Sequence, residues 1–271
     1  MLGSLLKGDP APSIPPGTRL YAFGDVHGRA DLLDRLLDNV AEDNRTRDDA
    51  ETHLVFLGDL IDRGPDSRAV VERAISLSKD NANVHFLKGN HEEIFLRVVN
   101  GDANAMRLFS KVGGLATLSS YGINADDFVY GNKQELVNCF NHHLPIEHRY
   151  FLNSLPETFE FGDYLFVHAG VRPEIELRKQ IAEDLLWIRS DFLDFEGKLD
   201  KVIVHGHSVA QDIQERPHRI GIDTGAFRTG VLTCLGLEGS DHWFLQTEGR
   251  PSLVQEQPML SEHSRSPKGT Q

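Results

Sequence analysis

Residues 19–28, RLYAFGDVHG, contain a short apolar run that ends in a polar cluster bounded by glycines. The first five of these residues have the length and apolar character of a buried strand, which ends at Gly24. Asp25 and His27 follow two positions apart, so both side chains can project to one side of the departing chain. Because ligands bind at the carboxyl ends of strands in open α/β sheets, this stretch predicts a strand that leads into a binding site.

The same arrangement recurs twice in the front half of the chain. Residues 53–57, HLVFL, precede the cluster GDLIDRG at 58–64, and residues 84–87, VHFL, precede GNHE at 89–92. Helical periodicity separates the three strands, over residues 30–43 and 65–79. Strand and helix alternate at roughly 30 residues per unit, which predicts a parallel β-core.

The back half is rich in strands with short gaps between them. Most gaps are too short for a crossover helix, so these strands are expected to be antiparallel or mixed. We predict an α/β fold with two packed mixed β-sheets flanked by helices, an αββα sandwich with a helical cap at about 93–153. The predicted strands of the back half are 164–168, 202–205, 219–222, 230–235 and 243–246.

Composition sets the broad class of the protein. The 271 residues carry 28 Lys+Arg against 41 Asp+Glu, a net charge of −13, and 39% are apolar. These values predict a soluble globular domain at residues 18–246, with a flexible lead-in at 1–17 and a polar tail at 247–271. The acidic balance argues against nucleic-acid binding, and no apolar run is long enough to span a membrane. Two widely spaced cysteines and the lack of a signal-peptide pattern favour a cytoplasmic protein.

Two strands of the back half also end in histidine. They lead into VHAG at 167–170 and HGHS at 205–208. Asp, His and Asn are oxygen and nitrogen donors that suit Mn, Fe or Zn better than a thiolate site would. Five strand ends that carry such donors predict a two-metal hydrolytic centre, in which one carboxylate is shared by both ions.

The set GDVHG, GDLIDRG, GNHE, VHAG and HGHS resembles the calcineurin-like metallophosphoesterases. More narrowly, it is similar to their phosphoprotein phosphatase branch in its bacterial and phage form. Glu92 in GNHE and the DRG of GDLIDRG favour that branch, and LLWIR at 185–189 and IDTGA at 222–226 support it. The resemblance runs from about Tyr21 to Leu237, and the motifs are specific only when taken jointly.

The resemblance implies a role for each motif residue. The implied metal ligands are Asp25 and His27 for the first ion, Asp59 as the bridging carboxylate, and Asn90, His168 and His207 for the second. The other implied residues are His91 as general acid, Asp62 as the residue that orients it, and Arg63, Arg189 and Arg172 as phosphate ligands. His205 has at most an indirect role, and Glu92 is interpreted as a first-turn acid that favours the helix dipole, without a catalytic part.

The implied activity is hydrolysis of phosphomonoesters on Ser/Thr or Tyr phosphoproteins, by direct attack of a metal-bound hydroxide. The cofactors would be two divalent ions, with manganese first and iron or zinc as alternatives. Hydrolysis of diadenosine tetraphosphate and similar dinucleotides is the alternative, since those enzymes share the core motifs. Arg189 could instead be an interdomain salt-bridge partner, and for Arg172 the structural and functional interpretations are balanced. An inert phosphate-binding scaffold is disfavoured because every motif ligand is present.

Overall fold

Two five-stranded sheets form the centre of the part of the chain that the structure, a computed structural model, describes: residues 11–124 and 133–248. In chain order the strands are β1 (Thr18–Phe23), β2 (Glu51–Phe56), β3 (Val84–Phe86), β4 (Thr158–Phe161), β5 (Tyr164–Val167), β6 (Val202–His205), β7 (Gln214–Arg216), β8 (Arg219–Gly221), β9 (Thr233–Glu238) and β10 (Asp241–Gln246). The sheet orders are β10-β9-β1-β2-β3 and β4-β5-β6-β8-β7.

Helices flank both sheets. They are α1 (Ala30–Arg45), α2 (Ser67–Asp80), α3 (Asn90–Val99), α4 (Ala103–Lys111), α5 (Gly114–Ser120), α6 (Lys133–His143), α7 (Ile146–Ser154), α8 (Ala182–Trp187), α9 (Ser190–Leu193) and α10 (Ala226–Thr229). Asp66 caps α2, since its side chain accepts a hydrogen bond from the backbone N–H of Ala69 at 3.0 Å. No helix in the described ranges is long and apolar enough to cross a membrane.

The first sheet is buried on both faces at its centre, whereas its edge strand β10 is half-exposed. Strands β1, β2 and β3 are parallel, and β9 and β10 add antiparallel strands at one edge. Along β1, Tyr21 and Phe23 pack toward the helices, whereas Leu20 and Ala22 pack toward the second sheet. The rings of Phe23, Phe56 and Phe86 stack across the three parallel strands, with centroids 4.4 and 4.3 Å apart. This arrangement explains the continuous apolar runs of the front half.

The second sheet is mixed, as predicted, with β5, β6 and β8 parallel and β4 and β7 antiparallel at the edges. The predicted α/β fold of two mixed sheets flanked by helices is confirmed. Two details differ from the predicted elements: the strand expected at 230–235 lies at Thr233–Glu238, and strands β4 and β7 were not predicted. β7 carries exposed polar residues and β4 is only half-buried, so neither edge strand shows a clear apolar run.

The regular structure described within residues 93–153, the predicted cap, is helical, although residues 125–132 lie outside the described ranges. The lead-in differs from its prediction at residues 11–17. Ile14 is buried between the sheets, and its backbone N–H donates to Gly239 at 2.9 Å. Residues 1–10 and the tail beyond Glu248 lie outside the described ranges.

Two histidines pack between the sheets, away from the strand ends. His85 stacks on Phe159 with centroids 4.0 Å apart, and His53 lies 6.0 Å from His85. Nδ1 of His53 and Nε2 of His85 are buried without a hydrogen-bond partner among the described residues. Burial lowers the pKa of both imidazoles, so the folded protein holds them neutral.

This packing predicts an acid-sensitive contribution to stability. The unfolded chain binds protons at these positions once the pH falls below about 6.5, before the folded chain does. The contribution is therefore complete above that pH and is lost as the pH falls toward the lowered pKa values. The variant His85→Phe keeps an aromatic ring against Phe159 but removes the titrating group. We expect its free energy of unfolding to decrease less than that of wild type between about pH 7.5 and about pH 5. Urea unfolding at both pH values tests this, with the exposed His142→Phe as the control. Equal losses in all three proteins would contradict it.

Candidate metal centre and active site

The carboxyl ends of the parallel strands meet at one edge of the two sheets, and the five sequence clusters meet there. Backbone hydrogen bonds hold the loops together. The N–H groups of His27 and Gly28 donate to the carbonyls of Asp59 and Leu60, both at 2.8 Å. Within the second sheet, Gly206 donates to the carbonyl of His168 at 2.8 Å, and Nδ1 of His168 lies 2.9 Å from the carbonyl of Leu57, which follows β2 of the first sheet. The predicted clusters therefore form one site.

The backbone at this site is strained. The non-glycine residues with positive φ in the described ranges all belong to the predicted site: His27, Asp59, Asp62, Arg63 and His207, with φ between 47° and 71°. Each such conformation costs on the order of 1–3 kcal/mol in a non-glycine residue. That cost indicates that the surrounding structure fixes these side chains in directions that an unstrained strand end would not provide.

Two glycines allow the first two loops to approach each other. A Cβ on Gly64 would lie 2.1 Å from the carbonyl oxygen of His27, and one on Gly28 would lie 2.9 Å from the carbonyl oxygen of Gly64. The backbones are thus in direct contact, and neither position has room for a side chain. This contact explains the terminal glycines of GDVHG and GDLIDRG.

The first group of candidate metal ligands surrounds one oxygen of Asp59. Nε2 of His27 lies 3.5 Å from Asp59 Oδ2. The other ring nitrogen of His27 lies 2.8 Å from the carbonyl of Ile61; when it donates there, Nε2 carries the lone pair and faces the site as an acceptor. Asp25, the other predicted ligand of the first ion, is buried to 2% exposure and is held through Oδ2 by the backbone N–H of His207 at 3.0 Å.

The second group surrounds the amide oxygen of Asn90. Nε2 of His168 lies 2.8 Å from it and Nδ1 of His207 lies 2.9 Å from it. Asp59 Oδ1 lies 3.4 Å from the same nitrogen of His168. Asp59 therefore presents one oxygen to each group, which is the arrangement expected of a bridging carboxylate.

The charge state of the site suits metal binding. Burial lowers the pKa of His27 and His168 and lowers that of His207 to about 2, so all three imidazoles are neutral, the state that metal binding requires. Burial raises the pKa of Asp59, but the surrounding histidines, among which His91 has a raised pKa and can carry a charge, outweigh this and hold it below its usual value. The site thus offers an ionised central carboxylate and neutral imidazoles.

The residues fit a pair of divalent cations. Oδ1 of Asp25 is buried without a hydrogen-bond partner among the described residues, a costly state for a carboxylate unless a cation binds it. Two sets of three ligand atoms lie within 4.8 Å of one another: His27, Asp59 and His91, and Asp59, His168 and His207. Oxygen and nitrogen donors of this kind suit Mn, Fe or Zn.

His91 and Asp62 form a buried pair beside the first group. Nδ1 of His91 lies 2.6 Å from Asp62 Oδ2, and Nε2 lies 3.8 Å from Asp59 Oδ2. Burial lowers the pKa of His91, but the carboxylates of Asp59 and Asp62 outweigh this and raise it. Thr117, which the sequence motifs do not indicate, donates to Asp62 Oδ1 at 2.6 Å from the cap helix α5. The cap therefore fixes the carboxylate that orients His91.

Arg63 lies over the first group and the His91–Asp62 pair. Its guanidinium approaches Nε2 of His27 at 2.9 Å and Nε2 of His91 at 3.1 Å, and it stacks on Phe227 at 4.7 Å. Its backbone N–H donates to Gly113 at 3.1 Å, and a Cβ on Gly113 would lie 2.8 Å from the Arg63 side chain. Gly113, which precedes α5, thus places the cap against this arginine.

The other two predicted phosphate ligands lie farther out. Arg189 is exposed, and its Nη1 lies 3.5 Å from the hydroxyl of Ser208, beside His207. Arg172 pairs with Asp184 at 3.0 Å and with Asp191 at 2.9 Å, so its charge is already engaged by two carboxylates. A phosphate contact by either arginine stays a prediction.

His205 lies apart from the ligand groups. Its ring is buried against Phe192, with centroids 5.1 Å apart, and Nε2 is 3.4 Å from a guanidinium nitrogen of Arg219. Exclusion of His205 from the ligand set agrees with this position. The positive φ at His207 turns the backbone between His205 and His207, so their side chains point in different directions.

Glu92 lies in the first turn of α3, as predicted, and it also contacts the loop that carries Asp59, a contact that was not predicted from the sequence. Its side chain is fully buried and accepts hydrogen bonds from the N–H groups of Gly89 at 2.8 Å, Asp59 at 2.9 Å and Leu60 at 2.8 Å. Burial and the charge of Asp59 raise its pKa to about 7. The glutamate therefore holds the loop of the bridging carboxylate, and its position three residues after Gly89 is the signal of a capping box.

We expect Glu92→Gln to destabilise the protein by about 1–3 kcal/mol, because an amide NH2 would then face backbone N–H donors. Turnover should fall as well, since the loop that carries Asp59 loses its support. Urea unfolding measures the first effect. Glu93→Gln is the matched control, since Glu93 is the next residue and its side chain accepts from Trp187 instead. Equal stability of the two variants would contradict the role assigned to Glu92.

Comparison with known proteins agrees with this geometry. A family model described as calcineurin-like phosphoesterase matches residues 18–229. The chain belongs to the calcineurin-like phosphoesterases. The resemblance predicted from the motifs is therefore confirmed, and the chain belongs to a family of hydrolases that use divalent metals.

The relatives of this phosphoesterase carry two kinds of name. It is 29% identical over 184 residues to the symmetrical bis(5'-nucleosyl)-tetraphosphatase of Acidovorax sp. (strain JS42), a match covering 68% of this chain and 51% of the relative. It is 28% identical to the serine/threonine-protein phosphatase 2 of Escherichia coli (strain K12), covering 79% of this chain and 90% of the relative. The chain thus spans about half the length of the symmetrical tetraphosphatase.

Solved structures share the fold. The crystal structure of a putative diadenosine tetraphosphatase superposes with a TM-score of 0.59 at 21% identity, covering 87% of this chain and 98% of that one. At this identity the likeness shows the fold of the phosphoesterase but not its substrate.

Proposed function

We propose that this phosphoesterase is a dinuclear-metal phosphomonoesterase that acts on phosphorylated Ser/Thr or Tyr residues of proteins. The observation that carries the proposal is the buried His91–Asp62 pair. Nδ1 of His91 lies 2.6 Å from the Asp62 carboxylate, and Nε2 of His91 lies 3.8 Å from the Asp59 carboxylate. When bound, two divalent cations would supply a nucleophilic water at neutral pH and neutralise charge on the phosphate.

The side chains of the site would bind the two cations and the phosphate. Asp25, His27 and Asp59 would hold one cation, and Asp59, Asn90, His168 and His207 would hold the other. The planar guanidinium of Arg63 lies at the site to bind and orient phosphoryl oxygens through paired hydrogen bonds. Arg189 is the second candidate for this binding, on the side of His207.

His91 would donate a proton to the leaving oxygen. With Nδ1 held by Asp62, its Nε2 faces the site and can carry the proton that the leaving group takes. A serine alkoxide is a poor leaving group and needs that proton, whereas a nucleotide phosphate departs as a stable anion. A fixed general acid therefore supports an ester substrate over a phosphoanhydride.

A second candidate function is hydrolysis of dinucleoside polyphosphates. Relatives named as bis(5'-nucleosyl)-tetraphosphatases favour it. So do Arg189 and the exposed Arg228 of α10, which form no ion pair among the described residues and remain available to further phosphates. The aromatic ring of Phe227 contacts both guanidinium groups, with Arg63 at 4.7 Å and Arg228 at 5.9 Å from its centroid.

A substrate panel distinguishes the two functions. The chain is assayed with Mn²⁺ on phosphoserine, phosphothreonine and phosphotyrosine peptides and on diadenosine tetraphosphate, in parallel with His91→Ala. The phosphoprotein proposal predicts a higher kcat/KM on a phosphopeptide and a strong dependence of that rate on His91. A higher kcat/KM on the dinucleotide, with a rate that His91→Ala barely changes, would contradict it and favour the second candidate.

A further inference from the structure

Asp223, at the end of β8, is a buried carboxylate that none of the motif roles includes. It is 4% exposed, and its side chain lies within interaction distance of Asp25, which follows β1. Backbone contacts bring the two strand ends together. A Cβ on Gly24 would lie 2.6 Å from the carbonyl oxygen of Ile222, so the residues preceding the two aspartates are in direct contact.

The segment 206–207 lies on the other side of Asp25. The backbone N–H of His207 donates to Asp25 Oδ2 at 3.0 Å, and a Cβ on Gly206 would lie 2.0 Å from Asp25 Oδ1. The loop that follows returns to Asp223, whose carbonyl accepts from the N–H of Ala210 at 3.0 Å. Asp25 is thus enclosed by the backbone of one loop and the side chain of Asp223.

Each of the two carboxylates leaves one oxygen without a donor group. Asp223 Oδ1 accepts from the N–H of Gly225 at 2.9 Å, and Asp25 Oδ2 accepts from His207. Asp25 Oδ1 and Asp223 Oδ2 are buried, and no donor among the described residues reaches them. Two adjacent buried carboxylates, each with one oxygen that no donor reaches, are costly, so this pair needs a cation or a shared proton.

We propose that Asp223 is a further residue of the first metal site. As a positioning residue it holds Asp25 in the orientation of a ligand, and it shares with Asp25 the negative charge that the first cation neutralises. The inference rests on the proposed function, because it requires that the site binds two divalent cations. It also gives a role to the buried carboxylate of Asp223, which lies beside a site where His27 and Asp59 already supply ligands.

The test is Asp223→Asn, which preserves the shape of the side chain and the acceptor for Gly225. Without metal, the amide of the variant can donate to Asp25 Oδ1, so the metal-free protein should melt at a higher temperature than wild type. Calorimetric titration and EPR with Mn²⁺ should show affinity for one of two ions weakened by about 10–100-fold, as for other residues that orient ligands. Asp212→Asn, at an exposed position of the loop after His207, is the control and should change neither quantity.

The outcomes separate this inference from the function it rests on. If wild type binds two Mn²⁺ ions and Asp223→Asn binds both with unchanged affinity, the inference is wrong and the proposed function stands. The same conclusion follows if the variant only lowers the melting temperature of the metal-free protein, since Asp223 would then serve the Gly225 turn alone. If wild type binds no divalent cation, both the proposed function and the inference are wrong.

Discussion

Replacement of His91 by alanine is expected to lower turnover of a phosphoserine peptide by about 10²- to 10⁴-fold, the usual contribution of a general acid. The reason is geometric. Asp62 holds Nδ1 at 2.6 Å, and Thr117 holds Asp62 in turn, so the opposite nitrogen of His91 is fixed in the site. The loss should be much smaller on p-nitrophenyl phosphate, because nitrophenolate departs without a proton. Initial rates on both substrates with Mn²⁺ measure the difference.

The control for this prediction is His142→Ala, which removes an exposed histidine of α6. Metal content must be measured as well, since His91 forms a cluster with His27 and Asp59 that could hold an ion. If His91→Ala empties the site and leaves turnover per bound metal unchanged, His91 is a metal ligand and not the acid. Equal losses on both substrates would also count against proton donation to the leaving group.

Replacement of Asp59 by asparagine is expected to weaken binding of both cations and to lower turnover by at least about 1,000-fold. One carboxylate faces both ligand groups, with Oδ2 at 3.5 Å from His27 and Oδ1 at 3.4 Å from His168. The amide has one oxygen and no charge, so it cannot serve both ions. Cations of this type contribute several kcal/mol to the stability of the transition state, and about 1.4 kcal/mol corresponds to tenfold in rate.

Metal content per chain after desalting, measured beside turnover, tests the bridging role. Asp80→Asn, at the exposed end of α2, is the control and should retain two ions and full activity. Circular dichroism establishes that Asp59→Asn is folded. A variant that loses only one ion would place Asp59 in one group alone and contradict the bridge.

Much of the fold could be predicted because a strand and its end are marked by residues that are adjacent in the sequence. Apolar runs followed by Gly-Asp or Gly-Asn marked β1, β2 and β3, and these strands lie within two residues of their predicted positions. The edge strands β4 and β7 escaped prediction since they are short and only partly buried. They are stabilised by pairing with β5 and β8, and a local sequence pattern does not indicate such pairing.

The sequence by itself determined which residue types gather at the site, because donors that follow parallel strands must meet at one edge of a sheet. Only the tertiary structure decided how those residues are held. Thr117 reaches Asp62 from 55 positions away, and Glu92 binds the backbone of the loop that carries Asp59. Asp223 meets Asp25 from 198 positions away, and Arg172 pairs with two aspartates. These contacts depend on where separate loops arrive in space, and periodicity and motif spacing carry no information about that.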